Sequence, residues 1–422
     1  MTPPGGMRDL LPPASMTRTL LWQRLMETFD LYGYQRVTTP PFEYAEVIER
    51  GLETVDRRDL IRFVEPDSGE VALLRPDITP QIARIIATRL QDRPAPWRLS
   101  YEGTVVRRRR GRARRQHQVL QCGIECVGLK GPEADAEVIE VAVRACEGVG
   151  LQNFLVELAQ VKIGAEVLDH VPANARAAVV DTLAAKDATN LERLLKSAGV
   201  VAAERKRLGT LCEHYGDRAV IADARRRLRN AAAKRALDEL ERVVDRLEAA
   251  GLGDRVGIDL SDLRRQSYYT GVSMTLLAEG PGEPLGLGGR YDHLLGRYDA
   301  PAPATGFAFD VENVLWALSD AGISLKARLP LRVLVAGGTL ARQRKTAGRW
   351  RAEGARVATV PAKTANEAKR YAKAWDYDLL VWQQGSVTRL TRLRDGRSRA
   401  LNTEPDAAVV ASVVFWARSG DE

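Results

Sequence analysis

Between Val119 and Gly128 the chain alternates strictly, with Leu120, Cys122, Ile124 and Cys126 on one parity and Gln121, Gly123 and Glu125 on the other. Successive side chains of a strand point to opposite faces, so this segment belongs to a sheet with one apolar and one polar face. Such a sheet packs helices on its apolar side and leaves the other side for chemistry. The flanking sequence supplies the helices. Leu21, Leu25 and Phe29 recur every four residues after Ser15, a capping residue, and Gly33 ends that run. Pro80 opens a second helix carrying Ile82, Ile85, Ile86 and Leu90. Tyr34 to Thr39 reads as a strand stopped by Pro40-Pro41, and Phe63-Val64 and Val71 to Leu74 flank a hairpin signal at Pro66 to Gly69.

From about 165 to 250 the pattern turns helical, with Thr189-Asn-Leu-Glu192 as a capping box. Leu237, Leu240, Val244 and Leu247 form a stripe there, closed by Gly251. Strand character returns from 256 to 278 and near Gly306 to Val311. Leu329-Pro330 reads as a linker between residues 1–328 and a second domain, 329–422. In that domain strands at Arg332–Ala336, Arg356–Val360, Leu379–Trp382 and Val387–Leu393 alternate with helices near 340–353 and 365–375, before a last helix. It is a small α/β domain. It also holds the whole charge excess, 17 Lys+Arg against 9 Asp+Glu, while the first 330 residues balance at 46 against 46.

Composition excludes several classes. With 45% apolar and 28% charged residues the chain is neither disordered nor low-complexity. Four cysteines without C-x-x-C spacing and four scattered histidines argue against a disulfide framework or a metal site. The start carries no secretory pattern, and the longest apolar stretch, 407–417, is about half of what a bilayer requires. A cytoplasmic protein is expected.

Five polar stretches stand out: Leu73-Leu-Arg-Pro-Asp77-Ile-Thr79, Gln121-x-Gly123-x-Glu125, Arg264-Arg-Gln-Ser-Tyr268-Tyr269-Thr270-Gly271, Gly288-Gly-Arg290-Tyr291-Asp292, and Gly306-Phe-Ala-Phe-Asp310. Carboxylates suit an ammonium group, arginines a carboxylate or phosphate, and tyrosine hydroxyls a polar ring. A pocket offering all three fits a free amino acid, and Gly123 leaves room for one above the sheet. Each stretch also has an ordinary reading. Asp77 alone would begin a turn or cap the next helix, and Gln121 and Glu125 would sit on a solvated face. The tyrosine pair would be a sheet pair, Gly-Gly-Arg-Tyr-Asp a turn, and the arginine run 107–115 a solvated loop.

Taken in this order, the stretches resemble the core of class II aminoacyl-tRNA synthetases, in the histidyl branch. Tyr32 to Pro40 is similar to motif 1, Tyr101 to Gly128 to motif 2, and Gly288 to Leu315 to the end of the core through motif 3. The resemblance covers roughly residues 4–320, and the tail is similar to the anticodon-binding domain of the class. It implies an α+β fold: an antiparallel sheet flanked by helices, a helical insertion, and the C-terminal α/β domain. It also implies that Asp77, Thr79, Gln121 and Glu125 hold the α-amino group and imidazole of histidine. Tyr268 or Tyr269 would line the ring, and Arg107 and Arg264 would face a carboxylate or a phosphate.

Three departures point to a paralogue. Where motif 2 has a glutamate two residues after its arginine, Arg107 is followed by Arg108-Arg109; where motif 3 ends in an arginine over ATP, Asn313 stands. Asp77-Ile-Thr replaces Glu-Gly-Thr. With Tyr101-x-Gly-Thr, Leu120-Gln-x-Gly, Ala304-Thr-Gly-Phe and Arg176 to Asp187, the chain is more similar to the ATP phosphoribosyltransferase regulatory subunits of histidine biosynthesis. That resemblance implies a non-catalytic histidine sensor without cofactor. Its partner would be the short-form catalytic ATP phosphoribosyltransferase subunit, which joins ATP to phosphoribosyl pyrophosphate, and it would self-dimerise through the core. The alternatives are a working histidine–tRNA ligase, which the basic tail favours, and a nucleic-acid-binding protein resting on the arginine run and tail.

Overall fold

The computed structural model describes residues 1–51, 59–107, 117–168, 171–227, 231–263, 269–325, 330–401, 410, 412–413 and 417. The alternating segment forms the strand Gln118–Val127, third in a nine-stranded sheet. Across the sheet the order is Gln35–Arg36, Trp97–Val106, Gln118–Val127, Ala304–Asp310, Gly286–Arg290, Val272–Ala278, Phe154–Gln160, Val256–Asp259 and Tyr215–Gly216. Six consecutive strands, from Trp97–Val106 to Phe154–Gln160, are antiparallel. Two pairs toward the edges, Gln35–Arg36 on Trp97–Val106 and Val256–Asp259 on Phe154–Gln160, are parallel, so the antiparallel expectation holds for the centre only. The predicted motif 1 strand shrinks to Gln35–Arg36, with the Val37 amide still donating to the Ser100 carbonyl at 2.8 Å.

Leu120, Cys122, Ile124 and Cys126 are buried under a layer that includes helices Ala14–Leu31, Pro132–Gly148, Ala231–Ala249 and Val311–Asp320. Phe307 meets Phe29 and Phe309 edge to face, with centroids 5.7 and 5.0 Å apart. The polar face is covered as well, and its Gln121 and Glu125 are 6% and 2% exposed. Helix Thr79–Arg89 lays Ile78, Ile82 and Ile86 on Leu99, Tyr101 and Val105 at one end. A three-stranded sheet of Phe42–Tyr44, Arg62–Val64 and Val71–Leu74 leads into that helix, as the hairpin signal indicates.

The insertion divides in two. Helices Ala173–Ala184, Ala188–Ser197 and Ala202–Leu211 pack on one another around Val179, Leu183, Leu191, Leu195 and Leu208. Helix Ala231–Ala249 instead joins the main core through Leu237, Leu240, Val244 and Leu247. The capping box is displaced: Asp187, not Thr189, caps the second insertion helix by accepting the Asn190 amide at 2.9 Å. Aspartate's short acceptor reaches an N3 amide from that position.

The chain splits into two units, Met1–Leu325 and Lys326–Glu422. In the second, Arg356–Val360, Arg332–Gly337 and Leu379–Gln384 run parallel, and Val387–Arg392 and Ser398–Leu401 continue the sheet antiparallel. Helix Leu340–Ala352 buries Trp350 against one face and helix Ala365–Ala374 buries Ala368 and Ala372 against the other. Only residues 410, 412–413 and 417 of the predicted last helix lie among the described residues.

Candidate functional site

Register decides what stands beside Glu125. Tyr101 lies opposite Gly123, and Gly103 opposite Gln121. On the other side Gly306 pairs with Glu125, Ala308 with Gly123 and Asp310 with Gln121, and Gly289 pairs with Gly306 in turn. Opposed residues of an antiparallel pair share a face. The strip from Gly123 through Gly306 to Gly289 is therefore almost bare of side chains, and longer neighbours lean over it.

Those neighbours close over each of the three glycines. A Cβ on residue 123 would lie 2.8 Å from the Tyr101 hydroxyl, so the room above Gly123 belongs to the Tyr101 ring. A Cβ on residue 306 would overlap the Glu125 carboxylate, and one on residue 289 would lie 2.9 Å from the Tyr269 ring.

Glu125 is 2% exposed, and three hydroxyls donate to it. Thr79 Oγ1 does so at 2.7 Å and Tyr101 at 3.1 Å, and the Tyr291 hydroxyl caps the other oxygen. Burial raises its pKa to about 7, against the lowering effect of the three hydroxyls, with the nearby Asp77 charge adding to the rise. Gln121 accepts the Ile78 amide at 3.3 Å, which ties the start of the 79–89 helix to the strand. Asp77 accepts the Thr79 amide at 3.0 Å and forms an ion pair with Arg107 at 2.7 Å, and Arg107 also donates to the Pro76 carbonyl. The turn-forming reading of Asp77 is thus real, and the same turn sets Thr79 against Glu125.

Asp77, Thr79, Arg107, Gln121 and Glu125 come together, and Tyr269 stands over Gly289, two strands from Glu125. Arg264, Tyr268 and residues 108–115 of the arginine run lie outside the described residues. Tyr101 and Tyr291 were not among the residues the sequence singled out as ligands. Tyr291 lies inside the Gly-Gly-Arg-Tyr-Asp stretch, which was a usable signal; Tyr101 required the strand register.

Two arginines of the flagged stretches turn away from the site. Arg290, 6% exposed, forms a double ion pair with Asp135 and donates to the Leu129 and Gly131 carbonyls and to Asp292. Arg75, 4% exposed, donates to the carbonyls of Thr39, Pro40 and Thr104 and to Gln81. Asn313, at the motif 3 position, gives its amide to the Pro284 carbonyl at 2.8 Å. A cleft of about 620 Å3 opens elsewhere, between Tyr32, Arg98, Glu137, Glu140 and Arg246. Glu137 is held there by Arg98 and Tyr34, and Glu140 by Tyr32. Among the described residues no cluster of His, Cys, Asp or Glu is suited to a metal ion, and no helix is long and apolar enough to cross a membrane.

Residues 6–314 match the family model for histidyl-tRNA synthetase. A histidyl-tRNA synthetase structure from Nostoc superposes over 99% of both chains with a TM-score of 0.80 at 20% identity, a likeness of fold. The chain therefore belongs to the histidyl-tRNA synthetase-like proteins of class II fold. A protein of Syntrophotalea carbinolica is 34% identical over 95% of both chains, and one of Moorella thermoacetica is 38% identical over 84% of this chain and 90% of its own. Both are named ATP phosphoribosyltransferase regulatory subunit, and within the larger family this chain belongs to that group. A Bacillus halodurans structure described as an ATP phosphoribosyltransferase regulatory subunit/histidyl-tRNA synthetase covers 91% of this chain and 98% of its own, at 29% identity and a TM-score of 0.78.

Proposed function

We propose that this chain is a non-catalytic subunit that binds free histidine on the polar face of its large sheet and transmits that occupancy to a catalytic ATP phosphoribosyltransferase chain. The observation that carries the reading is the Glu125 cluster. A carboxylate buried among three hydroxyls, with the Gln121 amide four residues earlier on the same strand face, suits an ammonium group and a polar ring. Asp77 supplies a second carboxylate at the rim, and Arg107 and Arg264 the counter-charge for the ligand's carboxylate.

The same geometry argues against adenylation. Arg75 and Arg290 are held by protein acceptors, and Asn313 offers a neutral amide where a synthetase needs a cation over the triphosphate. A charge-assisted contact is worth about twice a neutral one. For regulation, histidine must bind one conformation of the complex better than another. The core would also pair with a second copy of itself, which light scattering of the purified chain tests directly.

Calorimetric titration with histidine is the deciding experiment. Wild type binds, and Glu125→Ala loses roughly tenfold to a hundredfold in affinity because ligand donors are left unpaired. Gln121→Ala loses less. If wild type releases no heat at millimolar histidine, with or without its catalytic partner, the sensor reading fails. Histidine-dependent exchange of pyrophosphate into ATP above a heat-killed control would instead make this chain a ligase.

A further inference from the structure

In the second unit, the strand Arg332–Gly337 lies between the two strands that follow it in the chain, Arg356–Val360 on one side and Leu379–Gln384 on the other, and all three are parallel. The first crossover helix, Leu340–Ala352, buries Trp350 with Val333 and Val335. The second, Ala365–Ala374, buries Ala368 and Ala372 with Leu334 and Ala336, and so lies on the opposite face. The chain thus reverses its direction across the sheet at Arg332–Gly337. Open α/β sheets hold their ligands beyond the carboxyl ends of the strands at such a reversal.

Gly337-Gly338-Thr339 stands at that point. Both glycines have positive φ, +75° and +64°, and Thr339 caps the helix by accepting the Arg342 amide at 3.3 Å. The amides of Thr339, Leu340 and Ala341 find no acceptor among the described residues, and all three residues are exposed. The helix carries Arg342, Arg344 and Lys345 in its first half and no acidic residue at all. Arg342 donates to the Gly385 and Ser386 carbonyls, which ties the turn after Leu379–Gln384 to the start of the helix.

Beneath the glycines lies Gln383, 1% exposed. Its amide nitrogen donates to the Thr346 hydroxyl at 2.7 Å, while its amide oxygen has no partner among the described residues. That oxygen faces the loop, for a Cβ on residue 338 would lie 3.6 Å from it. An acceptor left unpaired in the interior is costly, and a hydroxyl brought to the loop would satisfy it. The Thr346 hydroxyl donates as readily as it accepts, so the amide turned over would present its N–H at the same place.

We infer that this point binds a small sugar phosphate, the phosphate on the amides of residues 339–341 and a sugar hydroxyl on the Gln383 amide. Free amides at a helix start, the positive end of the helix dipole and the neighbouring cations all favour a phosphate. The buried amide adds a group that an anion alone does not use. The inference is independent of the histidine reading, since every residue it uses belongs to the second unit.

Calorimetric titration of the full chain with ribose 5-phosphate tests it, with ribose at the same concentration as the control. Ribose 5-phosphate gives a saturable heat at millimolar concentration and ribose gives none. Leu340 is 57% exposed, so substitutions there leave the core intact. Leu340→Asp sets a carboxylate beside the free amides and weakens binding roughly tenfold or more. Leu340→Asn, of the same size and neutral, keeps the affinity within about twofold, the usual scale of a surface change. The expected split between these two variants places the ligand at this loop and separates it from any ligand of the first unit. Absence of saturable heat overturns the inference, as does equal binding of ribose. Binding that Leu340→Asp leaves unchanged overturns it too, because the ligand then sits elsewhere.

Discussion

Glu125 is an acid held where its ionised form is poorly solvated, and its pKa near 7 has consequences of definite sign. The folded carboxyl keeps its proton over a range in which the unfolded one has lost it. Its contribution to stability is thus present below the unfolded pKa and lost as pH rises through about 7. Glu125→Gln, which keeps partners for the hydroxyls, should flatten that dependence; urea midpoints at pH 5.5 and pH 8 for both proteins read it. An ammonium ligand requires the ionised form, so histidine binding below pH 7 should release a proton from Glu125, and affinity should climb between about pH 6 and 8. Titrations in buffers of different ionisation enthalpy count the proton, and Glu125→Gln separates it from that of the ligand's imidazole, which titrates near 6.5. Gly123→Ala tests the crowding beside it. Its Cβ would overlap the Phe307 carbonyl oxygen and lie 2.8 Å from the Tyr101 hydroxyl. Overpacking of that kind costs about 1–3 kcal/mol, visible as a lowered thermal midpoint.

At the scale of elements, the 79–89 helix delivers the site, and Arg75 holds the start of that helix in place. Its guanidinium spans the Thr39 and Pro40 carbonyls, the Thr104 carbonyl of the second strand, and Gln81 within the helix. Gly103 is glycine because a Cβ there would overlap this guanidinium. Lysine carries three donors on a single nitrogen and cannot reproduce a planar fork. Arg75→Lys should lose on the order of 3 kcal/mol in urea unfolding, since several buried carbonyls lose their donor. Histidine affinity should fall with it as Thr79 and Asp77 lose their placement. Periodicity identified this helix and its buried isoleucines from the chain alone. The polar network beneath it was not legible there, because its members come from 39, 75, 81 and 104, which no local pattern links.

For the whole molecule, two units with separate cores predict two thermal transitions. The first unit buries two large apolar clusters on either side of its nine-stranded sheet, and the second buries Trp350, Leu379, Val381 and Leu390 around a sheet of its own. Scanning calorimetry of the full chain should resolve two components, and histidine should raise only the one belonging to residues 1–325. A single transition unmoved by histidine would contradict that division. The second unit also carries the basic excess of 17 against 9. Contacts made by charge alone weaken steeply with salt, so any tRNA retained at 50 mM salt should be released by 200 mM. Selective retention at the higher concentration would restore the ligase reading.

Alternation along 118–127, four-residue periodicity after Ser15 and Pro80, and the β-α-β run from Arg332 are local properties, and they determined the elements and the faces of the central strand. Gln121 and Glu125 were legible for the same reason: polar residues at every second position of an otherwise apolar strand imply a purpose for that face. What only the tertiary structure decided is which partners those side chains meet. Tyr101 and Tyr291 reach Glu125 from positions 24 residues before it and 166 residues after it, brought there by strand register. Arg75 and Arg290, indistinguishable in sequence from ligand-binding arginines, are directed into the interior by acceptors from distant segments, Thr39, Pro40 and Gln81 for the one and Asp135 for the other. A strand's sequence states its two faces; which residue lies opposite, and which side chain leans over a glycine, depends on ladders closed between distant segments.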